Sequence, residues 1–405
     1  MFSYVHMGVW RNGIRIGLKI RRLRACGFES HHPYQVRLGT LGQAGHRRRE
    51  ERTMAKKISE IMAAASDQPT TFEDYLTMYA PQVGEVVNTY IGKGEHPDMD
   101  RYLYTPLLEY SKNGGKRHRP LICFAACLAV GGNVDLATSA ASAIEHFHSA
   151  ALIHDDIADD AKTRRGEPCL HLTEGLGLAI NMGDLALSLV NGTVMKDPAL
   201  SESMRMRVVG ELLDMTCRTV EGQAMDIGWA RDERYDISPD DYLCMATHKT
   251  AHYSGGVPLA VGAIIGGGTE EEIEGLRQYG LDTGLAFQIQ DDLLNLVGTE
   301  ESTKKDFRSD ITEGKRTLVV VHALKHSAPA DRDRLVQILS SKEEDPAVLA
   351  EAVEIMQKAG SIEYARTYAE NLTAEAKKRL VEIIPDSAAR RILVSMADWF
   401  VNRLK

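Results

Sequence analysis

Residues 137–160 read ATSAASAIEHFHSAALIHDDIADD, and residues 161–168 continue as AKTRRGEP. The run opens on small residues, turns apolar and closes on four aspartates within six positions, without strand-like alternation. A helix is the reading that fits. Residues four apart on a helix share a face about 6 Å along the axis. Asp155 and Asp159 then project together, and Asp156 and Asp160 form the adjacent pair. They fall at the helix C-terminus, where the backbone dipole opposes negative charge and a solvated end more often carries Lys or Arg. Taken alone, the stretch fits both an exposed acidic helix end and a cation site.

Helical patterning extends in both directions. Upstream, TTFEDYLTMYAPQVGEVVNTYI offers an N-cap at Thr70 or Thr71, and the turn NGGKRHRP leads into the apolar helix LICFAACLAVGG. Further helices are expected around residues 176–193, 200–228, 239–266, 269–298, 314–326 and 330–341, with more towards the C-terminus. Gly255, Gly256 and Pro258 should kink or interrupt the third of these. No segment shows period-two alternation bounded by hairpin turns. The expected fold class is all-α, with one large domain over residues 54–405.

The composition, 43% hydrophobic and 26% charged, is that of an ordinary globular chain. Residues 1–53 hold eleven Lys or Arg against three Glu, which leaves −17 on the remainder of a chain whose net charge is −9. An acidic body argues against broad nucleic-acid binding, and needs divalent cations or basic loops to hold an anionic substrate. The first 53 residues read either as a basic targeting or anchoring extension or as sequence upstream of a true start at Met54. The second is favoured because MAKKISEIMAAASDQPTTFEDYL looks like an ordinary start; either way the segment should be poorly ordered. Cys26, Cys123, Cys127, Cys169, Cys217 and Cys244 lack zinc-type spacing and read as structural thiols in a reducing, cytoplasmic setting. No uninterrupted apolar stretch reaches the length of a membrane span.

A second acidic pair, Asp291 and Asp292, occurs in FQIQDDLLNLVG, with Asn295 four residues after Asp291. Apolar residues on both sides argue against a merely solvated charge patch. Two such helices facing across a cavity would present oxygen donors suited to Mg²⁺, a hard cation that shares its shell with water and substrate phosphates. Cationic residues accompany both clusters. Lys116, Arg117 and Arg119 follow a Gly-Gly turn, Arg164 and Arg165 follow the first acids, and Lys249-Thr250, Lys305 and Lys315 surround the second. This layout is the one expected for a diphosphate held by both metal and cations.

Taken in order, GGKRHRP, HFHSAALIHDDIADDAKTRRGEP, NMGDLAL, EGQAMDI, HKTA, FQIQDD and KKDFRSDITEGKRT resemble the trans-isoprenyl diphosphate synthases, or polyprenyl synthetases, most closely the geranylgeranyl diphosphate synthases. The resemblance covers roughly residues 110–320. It implies an all-α bundle around a central cavity, usually a homodimer, that condenses isopentenyl diphosphate with an allylic diphosphate (dimethylallyl, geranyl or farnesyl) using Mg²⁺, with three ions per site in turnover. Carried over by position, it gives Asp155, Asp156, Asp159, Asp291, Asp292 and Asn295 to the metal. Arg164, Lys249, Lys305 and Lys315 would grip the allylic diphosphate. Lys116, Arg119, His148 and Arg165 would bind isopentenyl diphosphate, and Gln223, Asp226, Thr250 and Gln288 would line the cavity. His154 is left as a packed helix residue. Asn295 departs from the Asp common at its position, keeping an oxygen donor while losing a charge.

The chemistry implied is loss of diphosphate to leave an allylic cation, attack by the isopentenyl alkene, and loss of a proton. A class I terpene cyclase would leave Lys116, Arg119 and His148 without a task. A non-catalytic partner subunit of a heteromeric synthase would tend to lose one acidic motif, and this chain keeps both. In the family, bulky residues four or five positions before the first Asp floor the product pocket; here Ala151 and Ala150 stand there. A product longer than farnesyl diphosphate is therefore expected, with geranylgeranyl diphosphate the leading choice and a longer-chain or a farnesyl diphosphate synthase the alternatives. Ala150→Phe should shorten the product on chromatographic sizing; an unchanged profile would count against this pocket assignment.

Overall fold

A computed structural model of the chain describes residues 57–63, 68–298 and 307–402; the expected basic extension over residues 1–53, Cys26 and Lys305 lie outside them. The described residues are helical almost throughout. Helix α1 (Phe72–Asn88) starts at Thr71, whose hydroxyl accepts from Asp74 N while the Asp74 carboxylate accepts from Thr71 N, a reciprocal cap. It is followed by α2 (Thr105–Lys112), α3 (His118–Ala129) and α4 (Thr138–Ala158). Next come α5 (Leu176–Met195), α6 (Glu202–Arg231) and α7 (Pro239–Ala246), then a π-helical stretch, Thr247–Gly256, that runs directly into α8 (Val257–Gly266). The remainder is α9 (Glu270–Val297), α10 (Leu318–His326), α11 (Pro329–Ser341), α12 (Pro346–Lys358), α13 (Ser361–Ile383) and α14 (Ala388–Val401).

Two of these elements differ from the sequence expectation. The helix expected over residues 314–326 begins only at Leu318, because Gly314 takes a left-handed backbone (φ 67°) and Thr317 supplies the N-cap. The helix expected over 239–266 is continuous, but its middle is wound more widely instead of broken. Pro258 sits in the first turn of α8, where a missing N–H costs little.

The core has two main parts. In one, α3 is almost entirely buried and packs on α8, while α14 brings Phe400 against Phe72 and Phe287. In the other, α9 packs against α13, and α10, α11 and α12 close around it. Helix α4 packs along α5, where Gly183 leaves room for the His154 ring and His154 Nε2 lies 3.4 Å from Asp184. By length and composition alone α5 could cross a membrane, although Asn181, Asp184 and Asn191 interrupt its apolar run. Here it lies against α4 and carries Asp184 near its middle. Cys123, Cys127 and Cys169 are buried, Cys217 and Cys244 are exposed, and none of the five is in a disulfide.

The π-helical stretch meets α9 backbone to backbone at Gly255 and Gly280. A Cβ on Gly280 would fall on the Gly255 carbonyl, and neither backbone can yield without separating two core helices. Gly280→Ala should therefore destabilise the fold by about 1–3 kcal/mol, read as a lower midpoint of thermal unfolding; an unchanged midpoint would contradict this contact.

Candidate active site

A cavity of about 1170 Å³ opens between α4, α6, the π-helical stretch, α9 and α14. Helix α4 delivers the first acidic group at its last turn. Asp155 lines the cavity and accepts from Gln223 Nε2 of α6 at 2.9 Å. Asp156 is buried behind it, where its Oδ1 accepts from Arg164 Nε at 2.7 Å and also from Nη2, and its Oδ2 has no hydrogen-bond partner among the described residues. Asp159 ends the helix, with Oδ2 3.5 Å from Lys315 Nζ. At Asp160 the backbone turns left-handed (φ 48°), so this side chain leaves the helix for solvent and accepts from Lys162 Nζ at 2.6 Å. The expected Asp156–Asp160 pair therefore does not form.

The next residues form a hairpin that the sequence reading did not anticipate. Thr163–Arg164 pairs antiparallel with Glu167–Pro168, and the two residues at the turn, Arg165 and Gly166, both have positive φ (57° and 84°). That is a type I′ turn. It sends the two arginines to different tasks. Arg164 pairs with Asp156; burial opposes its charge, and Asp156 more than offsets the burial. Arg165 Nη1 instead donates to the carbonyls of Asn113 (3.0 Å) and Gly114 (3.2 Å) in the Gly-Gly turn.

Helix α9 supplies the second acidic group. Asp291 and Asp292 both line the cavity. Asp292 is held at both oxygens, by the Tyr242 hydroxyl at 2.7 Å and by Gln288 Nε2 at 2.7 Å, while Gln288 Oε1 accepts from Thr250 Oγ1 at 2.6 Å. Thr250 and Gln288 thus reach the cavity as a relay onto Asp292. Burial, followed by the nearby Asp310 carboxylate, pushes Asp292 well above the usual carboxylate range. Asn295 also lines the cavity, but its amide fastens the following turn: Nδ2 donates to Ser309 Oγ and Oδ1 accepts from Asp310 N, each at 3.2 Å. The carboxylate brought opposite Asp292 is Asp310. The sequence reading passed over it although SDITEGK was among the quoted motifs.

Two lysines stand between the acidic groups. Lys249 pairs with Asp226; burial pulls against its charge, and the carboxylates of Asp226 and Asp155 raise it nonetheless. Lys315 Nζ lies 3.5 Å from Asp159 and 3.7 Å from Asp310, and it also contacts Glu313. It spans the two clusters and stays charged against burial through Asp310 and Asp159.

A second basic patch lies beside them. Arg119 Nη2 donates to Ser254 Oγ (2.9 Å) and to the Tyr253 hydroxyl (3.3 Å), and its guanidinium lies 4.6 Å from the centre of the Tyr253 ring. Lys116 Nζ is 4.4 Å from the centre of the Trp399 ring. His148 stacks on Tyr253 and is kept neutral by burial and by the charge of Arg119. Among the described residues, the hydrogen-bond acceptors of Arg119 and Arg165 are neutral hydroxyls and carbonyls. Their charge remains available to an anion, whereas Arg164 and Lys249 are already ion-paired. Tyr253 and Trp399 are aromatic contacts that motif spacing did not disclose. Ala150 and Ala151, one turn before Asp155, also line the cavity.

The donor set fits a divalent cation. The oxygens are hard, one buried carboxylate oxygen of Asp156 has no partner, and Asp292 is crowded towards its protonated form. Among the described residues no three acidic, His or Cys side chains converge closely enough to hold an ion alone. Diphosphate and water oxygens would have to complete the shell.

Comparison with known proteins gives a consistent answer. A short chain isoprenyl diphosphate synthase of Methanothermobacter thermautotrophicus is 41% identical over 290 residues, covering 72% of this chain and 87% of that protein. The crystal structure of geranylgeranyl pyrophosphate synthetase from Pyrococcus horikoshii superposes with a TM-score of 0.74 at 32% identity, covering 82% of this chain and 98% of the other. A geranylgeranyl pyrophosphate synthase from Corynebacterium glutamicum, complexed with isoprenyl diphosphate and magnesium, gives a TM-score of 0.72 at 27% identity, covering 82% and 99%. Residues 100–356 match the polyprenyl synthetase model, and the chain belongs to that family.

Proposed function

We propose that the protein is a Mg²⁺-dependent trans-prenyltransferase that condenses isopentenyl diphosphate with an allylic diphosphate, giving geranylgeranyl diphosphate. The observation that carries this reading is Lys315 standing between Asp159 and Asp310, which brings the two acidic groups to one cavity with a cation between them. Bound Mg²⁺, held by Asp155, Asp156, Asp159, Asp291 and Asp292 with Asn295 alongside, would supply electrostatic stabilisation of the leaving diphosphate. Arg164, Lys249 and Lys315, with Lys305, orient the allylic diphosphate. Each described member of that set is ion-paired in this conformation, so binding exchanges one anionic partner for another and leaves no bare buried cation.

Lys116, Arg119, Arg165 and neutral His148 hold the second diphosphate, which places the isopentenyl alkene beside the allylic carbon. The allylic C–O bond breaks, its electron pair leaves with diphosphate, a C–C bond forms to the alkene, and a proton passes from the new chain to the released diphosphate. Thr250, Gln288, Gln223 and Asp226 line the cavity, where their dipoles and charge would stabilise the developing cation. The small side chains of Ala150 and Ala151 leave depth for a chain longer than farnesyl.

A homodimer is supported by a row of exposed apolar residues on α6, Met206, Leu213, Val220 and Ile227, which recur every seventh residue and run from the surface to the cavity mouth at Val220 and Ile227. A cytoplasmic setting is supported by the buried free thiols. Residues 54–405 are read as the catalytic domain.

Incubation with labelled isopentenyl diphosphate, Mg²⁺ and each allylic diphosphate in turn, followed by sizing, should give a 20-carbon diphosphate. Cyclic hydrocarbon, or no elongation with any starter, would refute the reading. Asp155→Ala should lower turnover by about 10²–10³-fold or more while circular dichroism stays helical.

A further inference from the structure

Beneath the second basic patch lies a buried ion pair that the chemistry above does not use. Arg117 Nη1 donates to Glu145 Oε1 at 2.7 Å, and the two side chains are only 5% and 3% exposed. Arg117 Nη2 also donates to the Ser111 carbonyl at the end of α2. Gly84 of α1 packs against the same guanidinium, and a Cβ there would press on Arg117 Nε. Arg117 does not line the cavity, although Lys116 before it and Arg119 after it both do.

The backbone at Arg117 is left-handed (φ 48°), at the position that starts α3. A non-glycine residue holds that conformation only where its surroundings over-determine it. The Ser111 carbonyl, Glu145 and the α1 contact do so here. Arg165 grips the outer side of the same turn through Asn113 and Gly114, and its guanidinium lies against Gly115. The turn is thus clamped between an inner arginine that faces the core and an outer one that faces the cavity.

Glu145 lies three residues before His148 on α4, so one helix sets both the anchor and the imidazole of the patch. His146 beside it is pushed down to about 4 by burial and by Arg117, and so stays neutral and does not compete for Glu145.

We propose that Arg117 and Glu145 are positioning residues for the isopentenyl diphosphate site: their ion pair fixes the turn that aims Lys116 and Arg119 at the second diphosphate. This inference rests on the prenyltransferase reading above. Without the Glu145 charge, a buried guanidinium has no anionic partner and must move towards water. The start of α3 moves with it, and Lys116 and Arg119 lose their aim. Of the allylic set, Lys249 and Lys315 stand on other elements, and Arg164 is held by Asp156 about three turns along α4 from Glu145, so that site keeps its geometry.

The test compares steady-state kinetics of the full-length wild type and Glu145→Gln with isopentenyl diphosphate and an allylic diphosphate, each varied at saturating partner. Wild type that fails to elongate would refute the functional reading itself. If wild type elongates, Glu145→Gln should raise KM for isopentenyl diphosphate by about tenfold or more, with KM for the allylic diphosphate changed by less than about twofold. Glu145→Asp, which keeps the charge and shortens its reach, provides a second variant that should show the same selective rise at smaller amplitude. Equal changes in both KM values, or no change for isopentenyl diphosphate in a helical protein, would overturn the proposal, since a merely structural pair would not discriminate between the two substrates.

Discussion

Like charges crowded into a low-dielectric cavity force helices apart unless opposite charge stands between them. In this protein the carboxylates of α4, α6 and α9 share one cavity, and Lys315 and Lys249 are the fixed cations that let them do so. The rest of the architecture serves that juxtaposition. The π-helical stretch carries Lys249 to Asp226, the turn after α9 carries Lys315 to Asp159, and Asn295 pins that turn by accepting from Asp310 N. Even with these cations, Asp292 remains crowded by Asp310. The site is built with an excess of negative charge that a divalent ion can neutralise.

The same electrostatics divides the basic residues. Arg164 and Lys249 are paired with carboxylates, while Arg119 and Arg165 rest on hydroxyls and carbonyls. A diphosphate bringing its own metal ions could approach the first set, since the carboxylates paired with those cations could turn to the metal. A diphosphate arriving without metal needs cations that are not already neutralised, and the second set provides them. The two basic sets therefore differ in how their charge is balanced before anything binds.

Much of this was legible in the sequence because spacing on a helix is rigid. Asp155 and Asp159 on one helix, Asp291 and Asp292 on another, and the small residues a turn before Asp155 all follow from a period of 3.6. What escaped depends on backbone geometry outside helices or on contacts between distant segments. Asp160 looked like a helical neighbour of Asp156, but the helix stops at Asp159 and a left-handed residue turns the side chain outward. The Arg165-Gly166 turn lacks the Asn-Gly or Asp-Gly signature of a hairpin, and its two-residue strands are too short to show alternation. Asp310 sits in a single helical turn, Ser309–Thr312, too short for a period to tell an aspartate that faces a cavity from one that faces water. The Arg117–Glu145 pair joins residues 28 apart in sequence, a distance no local period reports.

The wide winding of Thr247–Gly256 has a consequence for how the chain can vary. A π turn accommodates an extra residue without breaking the rod, and so acts as a phase shifter between the helix before it and the helix after it. Substitution within the segment alters one side chain, but losing a single residue would tighten the coil and rotate α8 about its own axis relative to α7. Gly262 would then swing away from the Cys123 carbonyl it packs against, and Gly255 from Gly280. Residue number in this segment is thus constrained alongside the identity of Lys249 and Gly255, and tolerated insertions or deletions should be sought in the loops between the rods.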